Sequence, residues 1–425
     1  MTGARLAVIG QGYVGLPLAM RAVEVGYDVV GFEVDARRAE RLAAGDSYVG
    51  DIPSSRLAAA LATGRYAPSS DPADLAGFDV AVISVPTPLR DGAPDLSFIE
   101  DAARALAPHV RPGACVILES TTYPGTTEEL VLPLLEEGSG LRAGDDFHLG
   151  YSPERIVPGD PNGTLEKLPK VVSGIDATSL ARVQGFYDDI VERTVPIKGT
   201  REAELTKLLE NTFRHVNIAL VSELAMFAAD LGIDVWAAID AASTKPFGFM
   251  RFEPGPGVGG HCLPIDPSYL AWKVQADLGA TFRFVELANE VNEFMPEYVV
   301  RRLRSGLEAR GGEIAGARVL LVGLAYKPET GDAREAPSLR IAAALRALGA
   351  TVHATDPYVV DEVHGLEGDV ALTRVELTED EVRDADAVVI VTPHAAFDLD
   401  MVVRSASYVL DTRRSAPAGT NVEYL

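Results

Sequence analysis

An α/β fold, two doubly wound domains joined by a long central helix, is predicted by three features of the amino-acid sequence. Short aliphatic runs alternate with helical stretches at both ends of the chain, the arrangement that builds parallel sheets covered by helices. A glycine-rich turn, GQGYVG at 10–15, follows the first of these runs and opens the first helix. Between the two halves, from 200 to 233, apolar residues recur at helical spacing well beyond the length of an average globular helix. At 425 residues the chain exceeds what one hydrophobic core serves, and a hydrophobic content of 47% supplies two or three. The expected divisions are a Rossmann domain at 1–199, a central helical domain at 200–305 and a second Rossmann-like domain at 306–425.

RLAVIG (5–10) reads as the first strand and LPLAMRAVEVG, after the turn, as a helix. Gly10, Gly12 and Gly15 suit a tight turn, a close approach of backbone to a pyrophosphate and close helix packing, with Tyr13 and Val14 at the helix start facing the phosphates. The second strand, in YDVVGFEVD, ends at Glu33, whose carboxylate can accept hydrogen bonds from an adenosine ribose and repel a 2′-phosphate. NAD is therefore the expected cofactor. Arg37 and Arg38 follow at once, so NADP stays open; Arg38 is a candidate cofactor contact, or else part of a solvated helix start. DVAVISVPTP (79–88) and ACVILESTTYPGTT (114–127) are further strands ending in polar turns, and ligands collect at the carboxyl ends of such strands. This sets Thr87, Thr121 and Thr122 beside the cofactor, unless they serve turn chemistry alone. Cys115 falls in mid-strand and is expected to be inert core. YSPERIVPGD (151–160) is a polar turn displaying Glu154 and Arg155.

TREAELTKLLENTFRHVNIALVSELAMFAADLGI is the expected central spine, and its apolar face is expected to pair with a second copy in a homodimer or larger even assembly. Lys207 and Asn211, at i and i+4, share one of its faces and could aim at one reacting oxygen. GVGGHCLPID (257–266) then sets Cys262, one of only two cysteines, in a run of glycines. A space-filling cysteine sits among apolar neighbours, so this one reads as displayed, with Asp266 four residues on in a proline-restricted loop. GLEARGGEIAGA (306–317) reads as a glycine-rich linker. RVLLVGLAYKPETGDAREAPSLRIAAALRALGA begins a second strand, turn and helix, followed by TVHATDP; its turn lacks G-x-G-x-x-G and offers Lys327 and Arg334 to a different phosphorylated ligand.

A formal net charge of −24 argues against nucleic acid and anionic membrane as partners, because either needs a broad basic surface. An anionic ligand must be held by a local group of Lys, Arg and backbone N–H. Two cysteines make no disulfide framework, nothing at the start reads as an export signal, and no apolar run approaches the ~20 residues of a membrane span. A cytoplasmic location is expected, and no metal site.

The motifs GQGYVGLPLA, VPTP, ESTTYPGTTEE, YSPERIVPGD, ELTKLLENTFRHVNIAL, GVGGHCLPIDP, GLAYKPETGDAREAPS and LDTRR, in this order, resemble the UDP-glucose/GDP-mannose dehydrogenase family across essentially the whole chain. STKPFGF followed by PGPGVGGHCLPIDP is most similar to its UDP-N-acetylglucosamine 6-dehydrogenase branch; the UDP-glucose and GDP-mannose branches tend to carry Lys where this chain has Ile265. The resemblance implies NAD-dependent, four-electron oxidation of the C6 alcohol of a UDP-sugar. UDP-N-acetylglucosamine is the expected substrate, with UDP-N-acetylmannosamine, UDP-N-acetylgalactosamine and UDP-glucose as alternatives. By position, Cys262 matches the nucleophile, Lys207, Asn211 and Asp266 its catalytic partners, and Glu154 and Thr122 residues that handle water and protons. Lys327 matches a lysine of the substrate domain, Arg334 an arginine that reaches the cofactor, and Arg413 or Arg414 an arginine near the nucleotide. Arg155 and Gly259 join Glu154, Lys207 and Asn211 as expected substrate contacts.

The thiolate of Cys262 would add to the aldehyde, and the resulting thiohemiacetal would lose a second hydride to leave a thioester for water to hydrolyse. Oxyanion donors such as Lys207 and Asn211 are typically worth roughly 3 kcal/mol each. His261 would add a hydrogen bond for an acetamide. Arg251-Phe252-Glu253 stands where related enzymes often have proline and an aromatic, and the carboxylate of Glu253 would repel a diphosphate unless it points to solvent or pairs with Arg251. A catalytically silent nucleotide sensor is the competing reading, and it would be favoured had Cys262, Lys207 or Asn211 been missing.

Overall fold

A computed structural model describes residues 3–90, 92–156, 164–260, 262–359 and 372–425, with Cys262 described by its backbone. The chain divides into two compact units, Met1–Glu210 with Ser268–Gly279, and Asn211–Pro267 with Ala280–Leu425.

The first unit opens with β1 (Arg5–Ile9), α1 (Gly15–Glu24), β2 (Asp28–Phe32), α2 (Ala36–Ala43), α3 (Ser54–Ala62), β3 (Tyr66–Ser69) and β4 (Val80–Ile83). A hairpin, β5 (Leu89–Arg90) and β6 (Ala93–Pro94), precedes α4 (Ser97–Leu106), β7 (Cys115–Leu118), α5 (Leu132–Ser139) and β8 (His148–Tyr151). β9 (Lys170–Gly174), α6 (Ala177–Ile190) and β10 (Thr194–Pro196) complete the sheet, whose strand order is β10-β9-β8-β7-β4-β1-β2-β3. Leu6 of β1 stands opposite Val29 of β2 on one side and Val80 of β4 on the other, so the order reverses at β1 and opens a crevice at the carboxyl ends of β1 and β4. The strands run parallel, except that β9 is antiparallel to β8. The runs VAVI and CVIL are buried throughout, as strands covered on both faces must be. Leu16, Met20, Tyr27 and Phe186 pack one face, and Phe78, Ile99, Leu135 and Phe147 the other.

Four helices follow: α7 (Thr200–Asp230), α8 (Val235–Ala242), α9 (Cys262–Leu278) and α10 (Arg283–Ala309). The 31-residue α7 is the expected spine, and the division between the units falls within it. Two sequence expectations change here. Cys262 is not in a loop; it is the first residue of α9. Pro264 is tolerated in the first turn, where an N–H has no intrahelical partner, and Pro267 costs the interior one hydrogen bond. The stretch 306–317 is not linker throughout, because α10 runs to Ala309. Gly306 is helical since the Tyr408 ring occupies the place a side chain would take.

In the second unit β11 (Arg318–Val322), α11 (Pro337–Ala347), β12 (Thr351–Thr355), β13 (Thr373–Arg374), α12 (Glu379–Arg383), β14 (Ala387–Ile390), α13 (Leu399–Ser405), β15 (Val409–Asp411) and β16 (Val422–Tyr424) form the second doubly wound domain. Its sheet is parallel, in the order β13-β12-β11-β14-β15-β16, with the reversal now at β11. The predicted class, two Rossmann-like domains and a long helix, is the one observed.

Candidate active site

The glycine turn after β1 is set by contact as well as by backbone angle. Gly10 has φ +90°, and a Cβ there would stand 2.6 Å from the Ser84 carbonyl oxygen. A Cβ on Gly15 would collide with the Gly10 carbonyl, whereas the space beside Gly12 is open to 4 Å. No side chain caps α1 at Val14; the Leu16 N–H donates to the Gly12 carbonyl at 3.1 Å and Pro17 has none, so the Gly15 N–H is the first-turn donor left to meet a phosphate, and Tyr13 is exposed beside it. Glu33, just past β2, is buried and accepts from the N–H groups of Gln11 and Asp35 at 3.2 Å each. The Tyr48 hydroxyl donates to the Gln11 carbonyl at 2.8 Å, and burial, with the Glu33 charge behind it, lifts that hydroxyl above its ordinary range, so it stays a donor. Arg38 lies 5.4 Å from the Tyr48 ring centre. An open cradle, an uncapped helix start and a buried carboxylate after β2 are what a dinucleotide needs, and the residues fit NAD.

Thr87 is buried beyond β4. Thr122 is fully buried, its hydroxyl 2.5 Å from that of Thr126. Glu204 of α7 accepts from the Gly125 N–H at 2.5 Å and from the N–H and hydroxyl of Thr127 at 2.9 and 2.7 Å, which pins the turn carrying Thr122. Burial pushes the Glu204 carboxyl up to about 7.

Beyond β8, the segment with Glu154 meets three other elements. Lys207 of α7 donates to the Glu154 carbonyl. Lys170, first residue of β9, pairs with Glu119 at the end of β7 and stands 3.5 Å from the Glu154 carboxylate. Burial, reinforced by the Glu154 charge, moves the Glu119 carboxyl up to about 7; for Lys170 the two carboxylates outweigh the opposing effect of burial and keep it charged. Arg155 is engaged by Glu210, at 2.5 and 3.2 Å, and by the Pro169 carbonyl at 2.7 Å.

In the second unit Asn211 donates to the buried Asp266 carboxylate at 2.6 Å, so two predicted partners of Cys262 meet one turn beyond it on α9. The segment leading to Cys262 lies flat on the turn after β11. A Cβ on Gly259 would stand 2.7 Å from the Glu335 carbonyl oxygen and 2.9 Å from the Tyr326 Cβ, one on Gly260 would meet the Tyr326 ring at 2.8 Å, and the Gly260 N–H donates to the Arg334 carbonyl at 2.9 Å. These glycines are required by close approach. The same turn carries Lys327, whose ammonium lies 5.6 Å from the Tyr326 ring, and Arg334, paired with Asp332 at 2.6 Å. Asp356 accepts from the N–H groups of Leu324 and Ala325 and bonds His394 Nε2 at 2.9 Å, while His394 Nδ1 accepts from the Glu329 N–H at 3.0 Å. Arg413 packs its guanidinium against Gly255. Glu253 pairs with Arg251 at 2.9 Å, and Arg251 and Arg414 both reach Asp240. His261 lies outside the described residues.

Cys115 opens β7, not its middle, and burial pushes its thiol up to about 12, which leaves it unreactive. Glu119, Lys170, Glu204, Asp356 and His394 escaped the sequence reading. Glu119 gave a signal, a carboxylate directly after a fully apolar strand in the same motif as Thr122; Lys170 gave none. Among the described residues no group of His, Cys, Asp and Glu is arranged to hold a metal ion, and no helix is long and apolar enough to cross a membrane.

Comparison with known proteins matches all three domains of one family model, UDP-glucose/GDP-mannose dehydrogenase: the NAD binding domain at 4–191, the central domain at 201–294 and the UDP binding domain at 320–417. The chain is 36% identical over 394 residues to a UDP-N-acetyl-D-mannosamine dehydrogenase of Pyrococcus horikoshii, covering 92% of this chain and 90% of that one. It is 38% identical over 366 residues to a UDP-N-acetyl-D-glucosamine 6-dehydrogenase of Pseudomonas aeruginosa, covering 85% of each. The solved structure of a UDP-D-ManNAc dehydrogenase from Pyrococcus horikoshii superposes with a TM-score of 0.87 at 34% identity, over 99% of this chain and 98% of that one.

Proposed function

Since the chain belongs to the UDP-glucose/GDP-mannose dehydrogenase family and is an NAD-dependent enzyme of that kind, we propose that it oxidises the C6 alcohol of a UDP-2-acetamido sugar to the carboxylate. The observation that carries the reading is the Asn211–Asp266 bond one helical turn beyond Cys262. NAD at the glycine turn supplies the hydride acceptor for each of the two oxidations. Lys207 and Asn211 donate hydrogen bonds to the C6 oxygen as charge develops on it. Asp266 holds the Asn211 amide in its donor orientation. The Cys262 thiolate adds to the C6 aldehyde and is left after the second oxidation as a thioester. Water, held by Glu154 and Thr122, attacks the thioester carbon; Glu154 takes its proton and the C–S bond breaks to return the thiolate. Lys327, Arg413 and the backbone at Gly259 bind the UDP moiety, and Arg334 reaches towards the cofactor.

UDP-N-acetylglucosamine is the favoured substrate. Ile265 in place of the lysine of other branches and 38% identity to the Pseudomonas enzyme support it. A second reading, UDP-N-acetylmannosamine, draws support from the wider coverage of the Pyrococcus relative. The test is NADH formation by the purified protein with the UDP forms of N-acetylglucosamine, N-acetylmannosamine, N-acetylgalactosamine and glucose. Two NADH per sugar and an acetamido sugar ahead of UDP-glucose by at least about tenfold in kcat/KM are expected. A single NADH per sugar would refute the four-electron reaction, UDP-glucose in the lead would refute the substrate class, and undiminished turnover in Cys262→Ser would refute the nucleophile.

A further inference from the structure

Resting on the reading of Glu154 as the group that takes the water's proton, we propose that the buried Lys170–Glu119 ion pair is a positioning device: it orients the Glu154 carboxylate and sets when that carboxylate can accept a proton. The side chains of Lys170, Glu119 and Glu154 are only 3, 0 and 10% exposed. One ammonium thus serves two carboxyls where water is excluded. With both ionised the cluster carries an uncompensated negative charge, which a desolvated site resists, so the two carboxyls compete for the one ammonium. Burial pushes the Glu119 carboxyl up to about 7, and its Oε2 has no hydrogen-bond partner.

The other groups facing Glu154 do not compete for this role. From α6, the Tyr187 ring lies 5.1 Å from the Lys170 ammonium, and burial keeps its hydroxyl protonated. Lys207, from α7, spends a hydrogen bond on the main-chain carbonyl of Glu154, and Arg155, on the same segment, is held by Glu210. Lys170 is therefore the cation aimed at the carboxylate itself. A buried ion pair stabilises a fold no better than apolar residues of the same shape, so stability alone does not account for it. Lys170 thus orients the Glu154 carboxylate, and Glu119, drawing on the same ammonium, tempers that hold.

The experiment is the pH profile of kcat at saturating NAD and UDP-sugar for wild type, Lys170→Met and Glu119→Gln, each checked for an unchanged thermal midpoint. Removing the cation makes a nearby carboxylate bind its proton more readily, so Lys170→Met should move the acidic limb upward by about one pH unit or more. KM for the sugar should change less than about threefold, because the cation does not touch the substrate, and an initial burst of NADH should survive while the later, hydrolytic phase slows. Glu119→Gln, isosteric and uncharged, should move the limb downward. If Lys170→Met does not fold, Glu119→Gln decides alone. Limbs within about a third of a unit of wild type in folded variants, in a wild type that oxidises UDP-sugars, overturn this inference alone, since a purely structural pair would lower kcat at every pH without moving its limb. A wild type that oxidises no nucleotide sugar overturns the functional reading and takes this inference with it.

Discussion

Glu204→Gln should change how the stability of the N-terminal unit depends on pH. The Glu204 carboxyl sits in the fold at about 7, against 4.5 for an exposed glutamate, because burial outweighs the three donors it accepts from. A carboxyl raised on folding contributes stability that is fully present below about 4.5 and is lost as the pH rises towards about 7, above which both states are ionised and the loss is complete. At about 1.4 kcal/mol per pH unit that interval is worth about 3 kcal/mol. Glutamine removes the titration but turns an N–H2 towards one of the three donors, a constant cost of about 1–3 kcal/mol. The two proteins should therefore differ most at pH 5, with wild type the more stable, and converge or cross by pH 8. Urea unfolding at pH 5, 6, 7 and 8, followed by tyrosine fluorescence and far-ultraviolet circular dichroism, measures the difference directly. Subtraction cancels the other carboxyls that burial raises, Glu119 and Asp411. A stability difference that stays constant across these pH values would refute the reasoning and show Glu204 ionised throughout, with its three donors outweighing burial.

Glu33→Ala should lower the preference for NAD over NADP in kcat/KM by at least about tenfold, by removing a carboxylate from where the 2′-phosphate lies; it should also destabilise the turn, since the N–H groups of Gln11 and Asp35 lose their acceptor, and an unchanged cofactor ratio would dismiss the assignment. The apolar face of α7, exposed at Leu220, Leu224 and Phe227, is proposed to pair with a second copy: light scattering should return a dimer or larger even assembly for wild type and a monomer for Leu224→Asp/Phe227→Asp, and a wild-type monomer at assay concentration would refute it.

What the sequence disclosed was local chemistry. Gly10 and Gly15 announce a turn because the demand on each is met within a few residues or by a neighbouring strand end. Lys207 and Asn211 announce a shared helix face because helical spacing is a property of the chain alone. The same logic misled at Gly306 and at Cys262. Glycines and prolines in a sequence mark irregular backbone, yet Gly306 is helical to admit the Tyr408 ring, and Pro264 fits the first turn of a helix. Glycine spacing cannot tell a need for turning from a need for space.

Charges are harder still. Glu119 follows β7 and Lys170 opens β9, and Lys170 alone reads as an ordinary solvated side chain at a strand end. The pairing of β7 with β8 and of β8 with β9 brings them together, and β8 to β9 is the antiparallel step of that sheet. A reading that extended the parallel pattern would have put the first residue of β9 at the opposite edge, away from the carboxyl ends of β7 and β8. The reversal places the amino end of β9 there instead, so a lysine arrives beside Glu119 and Glu154. Whether a charge serves chemistry or solvation is thus decided by strand direction, which the local pattern of β9 does not encode.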